Sequence, residues 1–193
     1  MAALITSPND VTLRVARAFE KLSIGYYLCG SFASGLHGLY RASADSDFVA
    51  DLSAYRVPML AAELAADFDA DEEMMREAVS LQRSFNVVHY ETMWKVDVFV
   101  MKDRPYDAEA LLRAQDALLD PSDPTSRVKV ATAEDTVLAK LAWYRLGNEQ
   151  SDRQWADILG VLRLKRASLS EAYLRRWAKE LSVLDLLERA LRG

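Results

Sequence analysis

Two short stretches decide the fold: Tyr26-Tyr27-Leu28-Cys29-Gly30-Ser31 and, thirteen residues later, Asp45-Ser46-Asp47-Phe48-Val49-Ala50. Tyr26 to Cys29 is a β-prone run, and Gly30-Ser31 follows it directly. The sequence after it, Phe32 to Leu39, reads as a short helix. Glycine lets a backbone approach a ligand closely. Free N–H groups at a helix start attract phosphate, and the Ser31 hydroxyl adds a donor. The plain alternative is that Gly30 only makes a turn.

Asp45 to Ala50 reads as a second strand, and Asp45 and Asp47 stand two apart, so both carboxylates point to one face. Like charges side by side cost energy unless water or a cation offsets them. Mg²⁺ takes carboxylate oxygens together with substrate phosphates. An exposed pair on a strand edge is the competing reading. A third acid, Asp97, lies in Lys95-Val96-Asp97-Val98-Phe99-Val100, where the valines share one face and Lys95, Asp97 and Phe99 share the other. Three carboxylates on two strands suit two divalent ions that stabilise a transferred phosphoryl group. Pairing of Asp97 with Lys95 or with an arginine is equally open.

Working outward, Ser7-Pro8-Asn9-Asp10 opens a helix as a capping box, with Val11, Val15, Phe19 and Leu22 on one face and Gly25 as its stop. Pro58 to Phe68, Glu72 to Leu81 and Pro105 to Leu119 read as helices. Asn86 to Tyr90 and Lys95 to Met101 read as a hairpin, and Arg127 to Val130 as a short strand. From Thr132 on, three further capping boxes and the Trp155, Ile158, Leu159, Leu162 stripe predict helices to the end. The expected organisation is a mixed α/β core over 1–131 and an all-helical region over 132–193 that packs on it.

The composition is that of a folded globular chain: 193 residues, 51% hydrophobic and 27% charged. A single cysteine, Cys29, excludes an internal disulfide and a cysteine-rich zinc site. The net charge of −5 argues against a generic nucleic-acid coater. No signal-type leader and no apolar run long enough to span a bilayer is present, so the expectation is a cytoplasmic protein with no membrane partner. His37 and His89, and Trp94, Trp143, Trp155 and Trp177, read as structural rather than chemical residues. Cys29 reads as a small buried hydrophobe.

Gly30-Ser31, then Asp45-x-Asp47, then Asp97 on a later strand resembles the nucleotidyltransferase fold of the DNA polymerase β type. Arg41-Ala-Ser43-Ala-Asp45-Ser-Asp47 is similar to the Arg-x-Thr-x-Asp-x-Asp form of its bacterial AbiEii-type toxin branch. Ser84 to Tyr90, Lys95 to Phe99 and Arg153 to Leu159 resemble a poorly characterised bacterial group of that superfamily. The resemblance spans about residues 25–165. It implies an α/β fold with a small mixed sheet flanked by helices and a helical C-terminal region.

It also implies a Mg²⁺- or Mn²⁺-dependent transfer of a nucleoside monophosphate from a nucleoside triphosphate to a hydroxyl. The acceptor would be tRNA, a protein or a small molecule, and a neighbouring antitoxin would be a partner if the chain is a toxin. A catalytically inactive nucleotide-binding or regulatory module of the same fold is the alternative. By the resemblance, Gly30 and Ser31 hold the outer phosphates, and Asp45 and Asp47 ligate the metal. Asp97 completes the metal site and helps activate the acceptor. Arg41 neutralises phosphate or pairs with a nearby aspartate. A toxin-branch lysine on the first tail helix reaches the triphosphate, and Lys140 matches it; otherwise Lys140 is a solvated lysine. Asp157 reads as a structural salt-bridge partner. Ser46 departs from the family, which has an apolar residue there, and Ser43 replaces the commoner Thr.

Overall fold

A computed structural model of the chain describes residues 5–37 and 45–192. Arg41 and Ser43 therefore lie outside the described residues. Helix α1 spans Pro8–Lys21 and opens as expected. The Ser7 hydroxyl accepts from the Asp10 N–H, and the Asp10 carboxylate accepts from the Ser7 N–H at 2.9 Å. A cap of this kind contributes about 1 kcal/mol. The helix stops before Gly25, however: Leu22 is its C-cap, and Ser23 adopts the left-handed turn with φ 52°.

Seven strands follow among the described residues: β1 (Tyr26–Cys29), β2 (Asp45–Ala50), β3 (Phe68–Asp69), β4 (Ser84–His89), β5 (Lys95–Val100), β6 (Gln115–Leu118) and β7 (Arg127–Val130). They form one mixed sheet in the order β3-β4-β5-β2-β1-β7-β6. The pairs β2–β5 and β1–β7 are parallel, and the rest are antiparallel. Between the strands lie α2 (Gly30–Leu36), α3 (Val57–Leu64), α4 (Glu72–Ser80) and α5 (Pro105–Arg113). The chain ends in α6 (Ala133–Leu146), α7 (Asp152–Lys165), α8 (Glu171–Glu180) and α9 (Leu184–Arg192). No described helix is long and apolar enough to cross a membrane.

Two expected helices are shorter than their sequence pattern suggests. The one starting near Pro58 ends at Leu64, and Phe68 instead pairs with His89 across β3–β4. Phe68 is fully buried there, with its ring edge-on to His89 at 5.3 Å. The one starting at Pro105 ends at Arg113, where Ala114 turns to ψ 133°. Gln115–Leu118 then becomes an edge strand against β7. Nothing local in Gln-Asp-Ala-Leu favours a strand; the backbone partner does.

Alternation along the strands splits the sheet between two apolar clusters. Tyr26, Leu28, Phe48, Val96 and Val98 face α1, α3 and α4, packing with Val15, Phe19, Leu60 and Leu64. The rings of Phe19, Tyr26 and Phe48 form a triangle with centroids 5.4–5.7 Å apart. Ser46 lies on this same face with no exposed surface. Its hydroxyl is 2.6 Å from that of Thr12 and accepts from the Trp94 indole N–H at 2.9 Å. On the opposite face Tyr27, Cys29 and Val49 contact the cluster built by α5 to α9, including Leu138, Leu141, Ile158 and Trp177. Asp45, Asp47 and Asp97 lie on that second face.

Candidate active site

The strand register sets the side chains of the second face in rows. One row runs Asp45, Lys95, Val88 across β2, β5 and β4. The next runs Cys29, Asp47, Asp97, Asn86 across β1, β2, β5 and β4. A third runs Tyr27, Val49, Phe99, Ser84. Asp47 and Asp97 are therefore neighbours on parallel strands, and Asp45 stands one step along from Asp47, about 7 Å in a strand of this geometry.

Gly30 is required at the turn out of β1 for two reasons. Its φ is 62°, a conformation that costs an L side chain roughly 1–2 kcal/mol. A Cβ built there would also meet Asp47 Oδ2 at 1.9 Å. The glycine thus makes room for the Asp47 carboxylate, and Ser31 follows at the first turn of α2.

Asp47 carries the electrostatic cost of the row. Burial, then the charges of Asp45 and Asp97, push its carboxyl up to about 6, against the opposing pull of Lys140 and Lys95. Lys95 balances part of the acidic charge: its Nζ lies 2.7 Å from Asp97 Oδ2 and 4.0 Å from Asp45 Oδ2. The pairing with Asp97 holds the Lys95 ammonium above its ordinary range. Asp97 is thus partnered by Lys95, one of the two readings its sequence allowed. Among the described residues, no three Asp, Glu, His or Cys side chains form a ready metal cage.

A cleft of about 520 Å³ opens beside this row, between the sheet and the helices α6 and α7; Asp97 and its partner Lys95 stand outside its lining. Gly30, Ser31, Asp45, Asp47 and Lys140 all line it. Lys140 is not a solvated lysine. It is mostly buried, and its Nζ donates to Asp157 Oδ2 at 2.9 Å. Asp157 is the salt-bridge partner the sequence suggested, and it stands in the cleft wall rather than in the helical core. Cys29 is half-buried beside Asp47; burial and that carboxylate push its thiol well up, so it stays protonated and is no nucleophile.

Arg153 and Trp143 also line the cleft, and neither was singled out from the sequence as a site residue. Arg153 forms no ion pair among the described residues. Its spacing of four from Asp157 puts both on one face of α7, a signal present in the sequence. Trp143 is 50% exposed and stands edge-on to Phe99 with centroids 5.4 Å apart, unlike the buried Trp177. His89 is buried and bonded to Thr92, and His37 bonds the Ala131 carbonyl, as structural histidines do.

No protein-family model matches the sequence, and no curated protein does. Solved structures do match in shape. An antigenic nucleotidyltransferase-like protein from Paracoccidioides brasiliensis aligns over 99% of this chain and 95% of that one, with 16% identity and a TM-score of 0.56. The antibiotic-resistance factor ANT(2″)-Ia in solution aligns over 98% and 95%, with 15% identity and a TM-score of 0.56. Its crystal structure in complex with adenylyl-2″-tobramycin covers 97% of this chain and 100% of that one, with 12% identity and a TM-score of 0.50. At such identities the likeness is one of architecture, and the chain has the nucleotidyltransferase fold.

Proposed function

We propose that the chain is a divalent-cation-dependent nucleotidyltransferase that moves a nucleoside monophosphate from a nucleoside triphosphate to a hydroxyl acceptor. The observation that carries this reading is the fit of Gly30 to the Asp47 carboxylate at the head of the acid rows. A turn that excludes every Cβ next to a charge-stressed carboxylate is costly for stability alone and useful where phosphate and acid must meet. The shared architecture with ANT(2″)-Ia, whose complex contains an adenylylated tobramycin, supports the same class of chemistry.

The donor set suits Mg²⁺ or Mn²⁺. Asp45, Asp47 and Asp97 offer only carboxylate oxygens, and Asp47 is raised first by its burial and then by the two neighbouring carboxylates, both of which a bound cation would offset. These three would hold the ion, with Lys95 swinging aside through its exposed stem. When bound, the ion supplies positive charge against the charge that develops on the phosphoryl group. Gly30, Ser31, Lys140, Arg153 and Arg41 bind and orient the triphosphate. The acceptor oxygen bonds to the α-phosphorus while the bond from that phosphorus to the α–β bridging oxygen breaks. Pyrophosphate leaves with the electron pair, and Asp97 receives the hydroxyl proton. Residues 1–131 act as the catalytic core, and 132–193 close the cleft from the other side.

Calorimetry with each nucleoside triphosphate, in Mg²⁺ and in chelator, tests the reading. Binding is expected only with the ion; equal affinity in chelator removes the metal site. Lys140→Ala and Arg153→Ala should each weaken triphosphate binding more than monophosphate binding. One observation favours the second reading, an inactive nucleotide-binding module: Lys95 already bridges the acids. Binding without pyrophosphate release across a panel of hydroxyl acceptors would select it. The toxin role implied by the Arg41–Asp47 motif predicts growth arrest on expression, relieved by the product of a neighbouring gene.

A further inference from the structure

The second face of the sheet does not end at the acids. One strand step beyond Asp97, on the same side of β5, comes Phe99, in register with Val49 and Tyr27. Trp143 of α6 stands over Phe99 at 5.4 Å and 62° and leaves half of its surface open. Past Phe99 the strand reaches a group of cations. The Val100 N–H donates to the Arg83 carbonyl at 3.0 Å, and Lys102 and Arg104 follow in the loop. These residues line a second groove of about 460 Å³, which shares Phe99, Ala139 and Trp143 with the acid cleft.

The charges of this groove are one-sided. Arg104 is committed to Asp107, with two hydrogen bonds. Arg83 and Lys102 form no ion pair among the described residues. Two uncompensated cations in one groove stand out in a chain of net charge −5. The groove therefore offers an open aromatic platform at its inner end, next to the acids, and unbalanced positive charge at its outer end.

We propose that this groove takes the acceptor of the transfer, and that the acceptor is a small anionic hydroxyl compound carrying a flat ring. The proposal rests on the transferase reading and names the substrate class of its second reactant. The ring stacks on the exposed Trp143 indole and meets Phe99 edge to face, stacking of the kind that contributes roughly 1–3 kcal/mol per base in nucleic-acid complexes. The anionic group, a phosphate or a carboxylate, meets Arg83 and Lys102. The hydroxyl then lies about 7 Å from the ring platform, toward Asp97, which is two residues along the strand. A polycationic acceptor would be repelled by the same two residues. A long nucleic-acid strand needs a basic track to neutralise successive phosphates, and two free cations in a bounded groove do not make one.

The test uses the whole chain, saturated with Mg²⁺ and a non-hydrolysable triphosphate analogue so that the first cleft is filled. Second-ligand binding is measured by calorimetry for adenosine 5′-monophosphate, 4-hydroxyphenyllactate, adenosine, ribose 5-phosphate, a single-stranded RNA octamer and an aminoglycoside. At least one of the two ring-bearing anions should bind; adenosine monophosphate, if it binds, should do so at least tenfold tighter than adenosine or ribose 5-phosphate. Arg83→Glu with Lys102→Glu should weaken the bound anion at least tenfold and leave adenosine and the analogue within twofold. Both positions are exposed, so the variant folds. Trp143→Ala should weaken every ring-bearing ligand by fivefold or more. No binding by either ring-bearing anion, or binding that ignores the charge reversal, overturns the proposal while normal analogue binding leaves the transferase reading standing. An RNA octamer bound tenfold tighter than the monophosphate overturns it in favour of a strand. An aminoglycoside that binds, and binds tighter after the charge reversal, overturns it in favour of a cationic acceptor. Failure of the analogue itself to bind overturns both.

Discussion

The two faces of the central sheet use the same strands for different ends. On β2, Ser46, Phe48 and Ala50 point into the closed face beneath α1 and α3, while Asp45 and Asp47 point to the cleft and Val49 to the groove beside it. On β5, Val96, Val98 and Val100 take the first side and Lys95, Asp97 and Phe99 the second. The closed face is mostly apolar and aromatic, and the buried Ser46 hydroxyl within it is partnered by Thr12 and Trp94. The open face concentrates like charge and keeps an exposed indole. A period of two thus lets a six-residue strand anchor a core and present a site at once, so damage to each should be separable.

The largest effect belongs to the closed face. Phe48→Ala deletes a fully buried ring and should cost about 3–5 kcal/mol in chemical denaturation. The folded fraction should still bind nucleoside triphosphate. A loss below about 1 kcal/mol would mean the face repacks freely, and the contrast with the open side would weaken.

Gly30→Ala comes next, because it strikes the junction of the two faces. The added methyl needs the space of Asp47 Oδ2 and an unfavourable φ, so stability should fall by on the order of 2 kcal/mol or more. Combining it with Asp47→Gly should recover the part due to the clash and leave only the backbone strain. Were the double variant no more stable than the single, the packing of Gly30 on Asp47 would not be the cause.

Asp47→Asn should move stability the other way. A carboxyl raised to about 6 in the folded chain favours the folded state while it is protonated, and that advantage is lost as pH rises through about 6. The metal-free Asn variant should therefore exceed the parent at pH 7 by on the order of 1–2 kcal/mol. The two should converge toward pH 4. Denaturation at both pH values checks this, and a variant less stable than the parent at pH 7 would place Asp47 in a needed ion pair instead.

The smallest effect is expected at Lys95. Lys95→Met removes a half-exposed counter-ion from Asp97 and Asp45, which should cost about 1 kcal/mol or less in the metal-free chain. The same variant should show a larger rise in Tm with Mg²⁺ than the parent, since nothing then competes for the carboxylates. An unchanged Mg²⁺ response would separate Lys95 from the cation site.

The elements that hold the acids were legible because their signals are local. Tyr26–Cys29 and Asp45–Ala50 form strands over the ranges read from the sequence, and the parity of Asp45, Asp47 and Asp97 followed from alternation alone. The capping boxes at Ser7, Thr132 and Ser151 are local as well, and each of these residues caps its helix; the box read over Ser168 to Glu171 does not form, because Ser170 caps α8 and the Ser168 hydroxyl bonds the Lys165 carbonyl instead. The pairing of Asp97 with Lys95 was one of two readings open in the sequence, and the other neighbours of the acids were not legible. That Asp47 sits level with Asp97, that Lys95 reaches Asp45, and that Gly30 yields its Cβ space to Asp47 all depend on strand register between distant segments.

The amino-acid order by itself determined which residues share a face, where most helices begin, and that Gly-Ser and three acids flank short strands. Periodicity and capping chemistry act within a few residues, so no folding partner is needed to read them. Only the tertiary structure decided that Gln115–Leu118 and Phe68–Asp69 are strands, because their backbone hydrogen bonds go to β7 and β4. It also decided that Lys140 is tied to Asp157 and that Arg153 and Trp143 reach the cleft. Those outcomes depend on how α6 and α7 pack over the sheet. Charge pairing and burial act through space, and the chain must be folded before the distances that govern them exist.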